Sequence, residues 1–168
     1  MSGFTLRPLG ALDLDLASGF HRAAFVPQGE RAWTRQDIAE LVASPGVSGV
    51  ILLSDGKEIG FALWRVAADE AELLTIAIDA GHRRRGAGRT LLEAVIEGAR
   101  AGGAATLFLE VGADNPAACS LYGQKDFRTV GKRTGYYRRS DRPAADALVM
   151  RLELERGGPR RDRPKRDG

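Results

Sequence analysis

Residues 71–111 read AELLTIAIDAGHRRRGAGRTLLEAVIEGARAGGAATLFLEV. Ala71–Ile78 is an apolar run suited to a buried strand. From Gly86 to Gly102 the apolar residues Leu91, Leu92, Val95, Ile96 and Ala99 fall on one helical stripe, and Gly102-Gly103 stops it. Ala105–Val111 is a strand again. A strand, a helix and a strand of these lengths form a crossover, normally right-handed, that leaves the two strands parallel.

The flanks supply the rest of the sheet. Before the crossover, Gly49–Ser54 and Glu58–Ala67 are strand-like runs joined by Asp55-Gly56, which favours a tight hairpin turn. Further upstream Phe4–Pro8 reads as a short strand. Ala11–Phe25 has near-helical spacing of Leu12, Leu16 and Phe20, with His21 expected at the surface. Thr34 and Asp37 form a capping box that opens a second helix through Ile38, Leu41 and Val42, closed by Ser44-Pro45-Gly46. Downstream, Pro116 suits the first turn of a helix through Cys119, Leu121 and Tyr122, and Arg128–Tyr137 and Ala145–Leu154 read as closing strands. The expected class is α/β: a mixed, mostly antiparallel central sheet of about six to seven strands, with helices on both faces.

Composition narrows the function. Of 168 residues, 43% are hydrophobic and 28% charged, proportions that imply a packed core. The last thirteen residues carry six of the 25 basic and two of the 22 acidic residues, so residues 1–155 hold 19 basic against 20 acidic. One domain over residues 1–155 and a basic, disordered tail over 156–168 are expected. The body lacks the positive balance of a nucleic-acid-binding fold, so no specific nucleic-acid partner is expected, and only weak contact of the tail with RNA is considered. No apolar run approaches the ~18–20 residues of a membrane span, and no membrane partner is expected. The start lacks a secretory leader's pattern, one cysteine (Cys119) excludes an internal disulfide, and two histidines make a zinc site improbable. A cytoplasmic location without a metal is expected.

The chemistry concentrates at IDAGHRRRGAGRTLL, residues 78–92. Gly86 and Gly88 stand at a strand-to-helix junction among Arg83, Arg84, Arg85 and Arg89. Such a junction offers unpaired backbone N–H groups and the positive end of a helix dipole, which suits a phosphate or pyrophosphate. It is neither a P-loop, because Ala87 follows Gly86 where lysine is needed, nor a dinucleotide fingerprint, because Leu91 stands at the third glycine position. The alternative is a solvated arginine cluster capping a glycine-started helix.

Arg83-x-x-Gly86-x-Gly88 resembles the Q/R-x-x-G-x-G/A signature of the GNAT acyltransferase superfamily. Leu107-Phe108-Leu109-Glu110-Val111, Asn115, Ala118, Leu121-Tyr122 and Phe127 are similar to the LxLEVR-x-SN-x-x-A-x-x-LY-x-x-x-GF run of its bacterial ribosomal-protein-alanine N-acetyltransferases. Gly135-Tyr136-Tyr137 and Ala147–Met150 resemble that group's Tyr-Tyr element and last strand. The likeness is specific from about Glu72 to Leu154. It implies a GNAT fold and acetyl-CoA as cosubstrate, with Arg83, Arg84, Arg85, Gly86, Ala87, Gly88 and Arg89 around the pyrophosphate. It also implies that the backbone of Ile76, Ala77 and Ile78 pairs with pantetheine, and that Asn115 contacts the cofactor. The implied acceptor is a protein N-terminus, that of a ribosomal protein first. Two departures stand out: Gly112 replaces an arginine, whose contacts are expected to be absent, and Asp126 replaces a glycine, where local strain is expected.

Acetyl transfer to an amine requires a base for the amine, a donor for the oxyanion and a proton for the departing thiolate. Glu110 is the one charged residue of an apolar strand, sharing a face with Phe108 and opposite Leu107, Leu109 and Val111. The resemblance makes it the general base; the alternative is a carboxylate paired with an arginine. It makes Tyr122 the general acid; the alternative is a core aromatic. Asn115 could equally be a helix cap. Tyr136 and Tyr137 are candidates to line the acceptor site. His82 reads as a solvated loop residue and Cys119 as a small packing residue. Other functions that fit are acetylation of small amines or aminoglycosides, and a non-catalytic acyl-CoA-binding or ribosome-associated module.

Overall fold

The computed structural model describes residues 3–155; the tail expected at 156–168 lies outside them. The strands are β1 (Phe4–Pro8), β2 (Val47–Ser54), β3 (Lys57–Ala67), β4 (Glu70–Ile78), β5 (Thr106–Gly112), β6 (Arg128–Tyr137) and β7 (Ala145–Glu153). The helices are α1 (Leu14–Phe25), α2 (Arg35–Ala43), α3 (Ala87–Ala101) and α4 (Pro116–Gln124). The strands form one seven-stranded sheet in the order β1-β2-β3-β4-β5-β7-β6. Every neighbouring pair is antiparallel except β4 and β5, which the α3 crossover makes parallel. The mixed, mostly antiparallel sheet expected from the sequence is therefore found, with β7 inserted between β5 and β6.

Two apolar layers hold the helices to the sheet. On one face Leu91, Leu92, Val95 and Ala99 of α3, with Tyr122 of α4, pack on Leu52, Ala62, Leu107 and Leu109. On the other, Leu14, Ala17 and Ala24 of α1 and Ile38 of α2 pack on Ile51, Phe61, Leu63 and Ala77. Fully burying a side chain of this size stabilises the fold by about 1.5–3 kcal/mol, so these two layers dominate its stability. Thr34 caps α2 as its sequence foretold: its hydroxyl accepts from Asp37 N–H at 3.1 Å, while Asp37 accepts from Thr34 N–H at 2.7 Å.

The end of α4 carries the expected irregularity. Asp126 has a φ of +65°, which an L residue adopts at a cost. The reason is the return it permits: Phe127 N–H reaches Tyr122 O at 3.1 Å, seating the Phe127 ring 5.7 Å from that of Tyr122. Asp126→Gly removes the steric penalty but adds unfolded-chain entropy, and the net expected gain is about 0.5–1 kcal/mol. Urea denaturation should show a higher midpoint with an unchanged slope.

Candidate active site

The cleft begins where the two parallel strands part. β4 and β5 pair only at Glu70–Thr106, Ala71–Leu107 and Glu72–Phe108. Beyond them β4 stays bonded to β3 as far as Ile78, and β5 stays bonded to β7 as far as Gly112. Each strand is thus held on its outer side and bare on its inner one. A bulge adds to the divergence: Leu73 faces Trp64 and Thr75 faces Leu63, so Leu74 has no partner on β3.

A cavity of about 330 Å³ fills the gap. It is bordered by β4 from Leu73 to Ile78, by Glu110, Val111 and Gly112, by Asn115, Ala118 and Tyr122 around α4, and by Tyr137 at the end of β6. His21, Glu30 and Trp33 close it from the α1 side. The structure therefore brings together Ile76, Ala77, Ile78, Glu110, Asn115, Tyr122 and Tyr137. Tyr136 does not border the cavity; it is 51% exposed, with its ring edge-on to Tyr137 at 5.4 Å.

The glycine loop lies at the outer end of β4. Arg84 has a φ of +58° and Gly86 one of +87°, a turn that brings the chain into α3. No backbone N–H from Arg84 to Arg89 finds an acceptor among the described residues; the first bond into the helix runs from Thr90 N–H to Gly86 O, 3.0 Å. Arg83, Arg84 and Arg85 are exposed and make no ion pair among the described residues, whereas Arg89 is engaged by Glu93 at 3.0 Å. Ala87 is buried beneath the loop and Gly88 lies within 3.3 Å of Ile78 and Leu121 at the point where a Cβ would stand. Donors without acceptors, three free guanidiniums and the bare edge of β4 fit a long anionic ligand carrying amides. His82 takes no part, its Nδ1 lying 2.9 Å from Asp79, whose carboxyl it holds below the usual range.

Glu110 shares its half-buried face with Phe108, as strand alternation requires. One of its oxygens lies 3.2 Å from Arg133 Nη2. Arg133 is itself more than half exposed. Tyr122 is buried, and burial, with Tyr137 and Cys119 nearby, pushes its phenol pKa well up; its hydroxyl has no hydrogen-bond partner among the described residues. Asn115 caps α4, its Oδ1 accepting from Ala118 N–H at 3.2 Å, while also bordering the cavity. Cys119 is half-buried and packs against the core, its thiol pushed up by burial.

His21 is not at the surface. It is 3% exposed, sandwiched between Phe25 and Trp33 at 4.4 Å on either side, with Nδ1 accepting from Trp33 N–H at 3.1 Å. The acceptor role of Nδ1 places the proton on Nε2. Burial, with Arg31 nearby, lowers the pKa to about 4 despite the opposing Asp37. The sequence did hold the signal: Leu14, Ala17, His21 and Ala24 form one helical stripe. Arg139 carried no such signal. It comes from the segment joining β6 to β7, has a side chain only 1% exposed, and pairs with Glu30 at 2.5 Å and Asp114 at 2.8 Å. A Cβ at Gly112 would stand 2.5 Å from Asp114 Oδ1 and 2.8 Å from Arg139 Nη2. An arginine thus occupies the space beside position 112 after all, delivered from elsewhere in the chain.

Residues 15–127 match the model of the Acetyltransferase (GNAT) family. The chain is 42% identical over 103 residues to the [Ribosomal protein bS18]-alanine N-acetyltransferase of Escherichia coli strain K12, covering 61% of this chain and 69% of that one. It is 38% identical over 129 residues to the N-alpha-acetyltransferase RimI of Mycobacterium tuberculosis, covering 74% and 78%. The crystal structure of the ribosomal-protein-S18-alanine N-acetyltransferase from Escherichia coli superposes with a TM-score of 0.82 at 33% identity, over 94% of this chain and 98% of that one.

The buried imidazole makes stability depend on pH. The unfolded chain takes up a proton at His21 below about 6.5 and the folded one only near 4, so acidification favours unfolding. The stability present above pH 6.5 should be lost progressively towards pH 4, by about 1–3 kcal/mol. Denaturant melts across this window should show the slope in the native chain and a flatter one in His21→Phe.

Proposed function

This chain belongs to the GNAT acetyltransferase family and is an N-acetyltransferase; on that premise we propose that it moves the acetyl group of acetyl-CoA to the α-amine of a protein N-terminus, with the N-terminal alanine of a ribosomal protein as first candidate. The observation that carries the reading is the meeting of Glu110 and Tyr122 in one cavity at the parting of β4 and β5. The named activities of the two relatives support the same acceptor class, and such a reaction belongs in the cytoplasm.

Acetyl-CoA supplies an acyl group already activated as a thioester. The unpaired N–H groups from Arg84 to Arg89, with Arg83, Arg84 and Arg85, would hold its pyrophosphate, and the bare edge at Ile76, Ala77 and Ile78 would pair with the amides of its pantetheine arm. Asn115 borders the same path. A backbone N–H on that edge is the donor for the oxyanion as the amine adds to the carbonyl. Glu110, which borders the cavity, takes the amine's proton, directly or through water. Tyr122 stays protonated through neutral pH, so its hydroxyl can donate to the departing sulfur. Transfer is direct, with both substrates bound together and Tyr137 bordering the acceptor's path.

Acceptor choice follows from basicity. A peptide α-amine has a pKa near ~8 and a lysine side chain one near ~10.4, so a single carboxylate deprotonates the former with less help. Two measurements test the proposal. Glu110→Gln and Tyr122→Phe should each lower kcat by ~10²–10⁴-fold, the usual worth of one positioned proton-transfer group, with melting temperatures little changed; near-normal turnover in both would remove these roles. In a competition between an alanine-started peptide and its N-terminally blocked, lysine-containing twin, product mass should show α-amine acetylation alone. Turnover confined to lysines, polyamines or aminoglycosides would replace the acceptor assignment and leave the family untouched.

A further inference from the structure

We propose that Arg139 is a positioning residue for the acceptor: its guanidinium latches the β6–β7 connection across the cavity mouth and fixes Tyr137 and Glu30 as the walls the incoming N-terminus passes between. The inference rests on the acetyl-transfer reading for the identity of the acceptor, and on geometry alone for the latch.

Three segments far apart in sequence meet at this side chain. Nη1 donates to Glu30 Oε1 at 2.5 Å, after α1; Nε and Nη2 donate to Asp114 Oδ2 and Oδ1 at 3.1 and 2.8 Å, between β5 and α4. The guanidinium also lies over the Tyr137 ring, 5.1 Å from its centre. Glu30 and Tyr137 both border the cavity. A second arginine repeats the attachment: Arg142 donates to Gln28 O at 2.9 Å and approaches Asp114 at 3.6 Å. The backbone is close as well, since a Cβ on Gly29 would stand 3.1 Å from Ser140 N and 3.4 Å from Arg139 Cα.

Burying a guanidinium is unfavourable unless every donor that leaves water finds an acceptor, and even a well-paired buried ion pair adds little net stability. What such a pair does provide is a fixed geometry, because a planar fork on a carboxylate tolerates few orientations. Here the fixed element is the mouth of the cavity. Gly112 belongs to the same device: any side chain there would displace the Arg139 guanidinium and the Asp114 carboxylate together. Tyr137 is partly buried at this wall, its phenol raised to about 12 chiefly by burial and then by Glu110 and Glu30, with the Arg139 cation opposing them.

The test compares the full chain with Arg139→Met, Arg139→Lys and Gly112→Ala, using an alanine-started peptide and acetyl-CoA. Arg139→Met and Gly112→Ala should raise KM for the peptide about 10- to 100-fold, the scale on which misplaced positioning groups act, with far smaller changes in kcat and in KM for acetyl-CoA. Arg139→Lys should recover part of the loss, since it restores charge without the fork. Hydrogen exchange across residues 136–142 should accelerate in Arg139→Met and Gly112→Ala. A fall in melting temperature with both KM values and the exchange of that segment unchanged would overturn the proposal. If the native chain acetylates no peptide, the acceptor reading fails on its own and the exchange still decides the latch: faster exchange upholds it and unchanged exchange refutes it.

Discussion

Backbone groups removed from water must find partners, and the site grows from one place where the sheet does not supply them. Past Glu72 and Phe108 the inner edges of β4 and β5 have no strand to bond, while their outer edges remain tied to β3 and β7. A rigid, unsatisfied edge beside a cavity is a template for an extended ligand with amides of its own. The glycine loop continues the same line outward with six further N–H groups that have no acceptor among the described residues. The catalytic candidates follow from the same parting: Glu110 is on the departing stretch of β5, and α4 fills the widening space with Tyr122.

The charges around the cavity are organised to keep its walls still. Glu30 and Asp114 are both taken by the buried side chain of Arg139, and Glu110 by the more exposed Arg133. His21 is held neutral by its aromatic sandwich, so it adds a polar edge to the wall without adding a charge that would repel an incoming ammonium. Of these groups Glu110 is the one least encumbered, which suits a residue that must exchange a proton in each cycle.

Features set by local periodicity are legible in the sequence itself. The α3 stripe, the Asp55-Gly56 hairpin, the capping box at Thr34 and the alternation that puts Glu110 beside Phe108 all appear where expected, because each depends on residues within a few positions of one another. The failures share the opposite property. The insertion of β7 between β5 and β6 leaves no local trace, since its side-chain alternation would be the same at a sheet edge. His21 is polar, which suggests the surface, yet it sits in the buried Leu14–Ala17–Ala24 stripe. Arg139 was invisible because its partners are 25 and 109 residues away in sequence. Position 112 illustrates the general case: an absent arginine in the sequence is a present guanidinium in space.

The three-residue parallel junction also divides the sheet by how far apart in sequence its partners lie. β2, β3 and β4 are neighbours in sequence joined by short turns, so closing them loses little chain entropy. Joining β4 to β5 requires closing the whole α3 crossover for three residue pairs, and β7 must then slot between strands that precede it. The sheet thus has a half built from local pairings and a half built from distant ones, joined along its shortest ladder. The joint that opens onto the cavity is the one with the fewest paired residues in the sheet, three, so local opening there breaks the fewest ladder bonds.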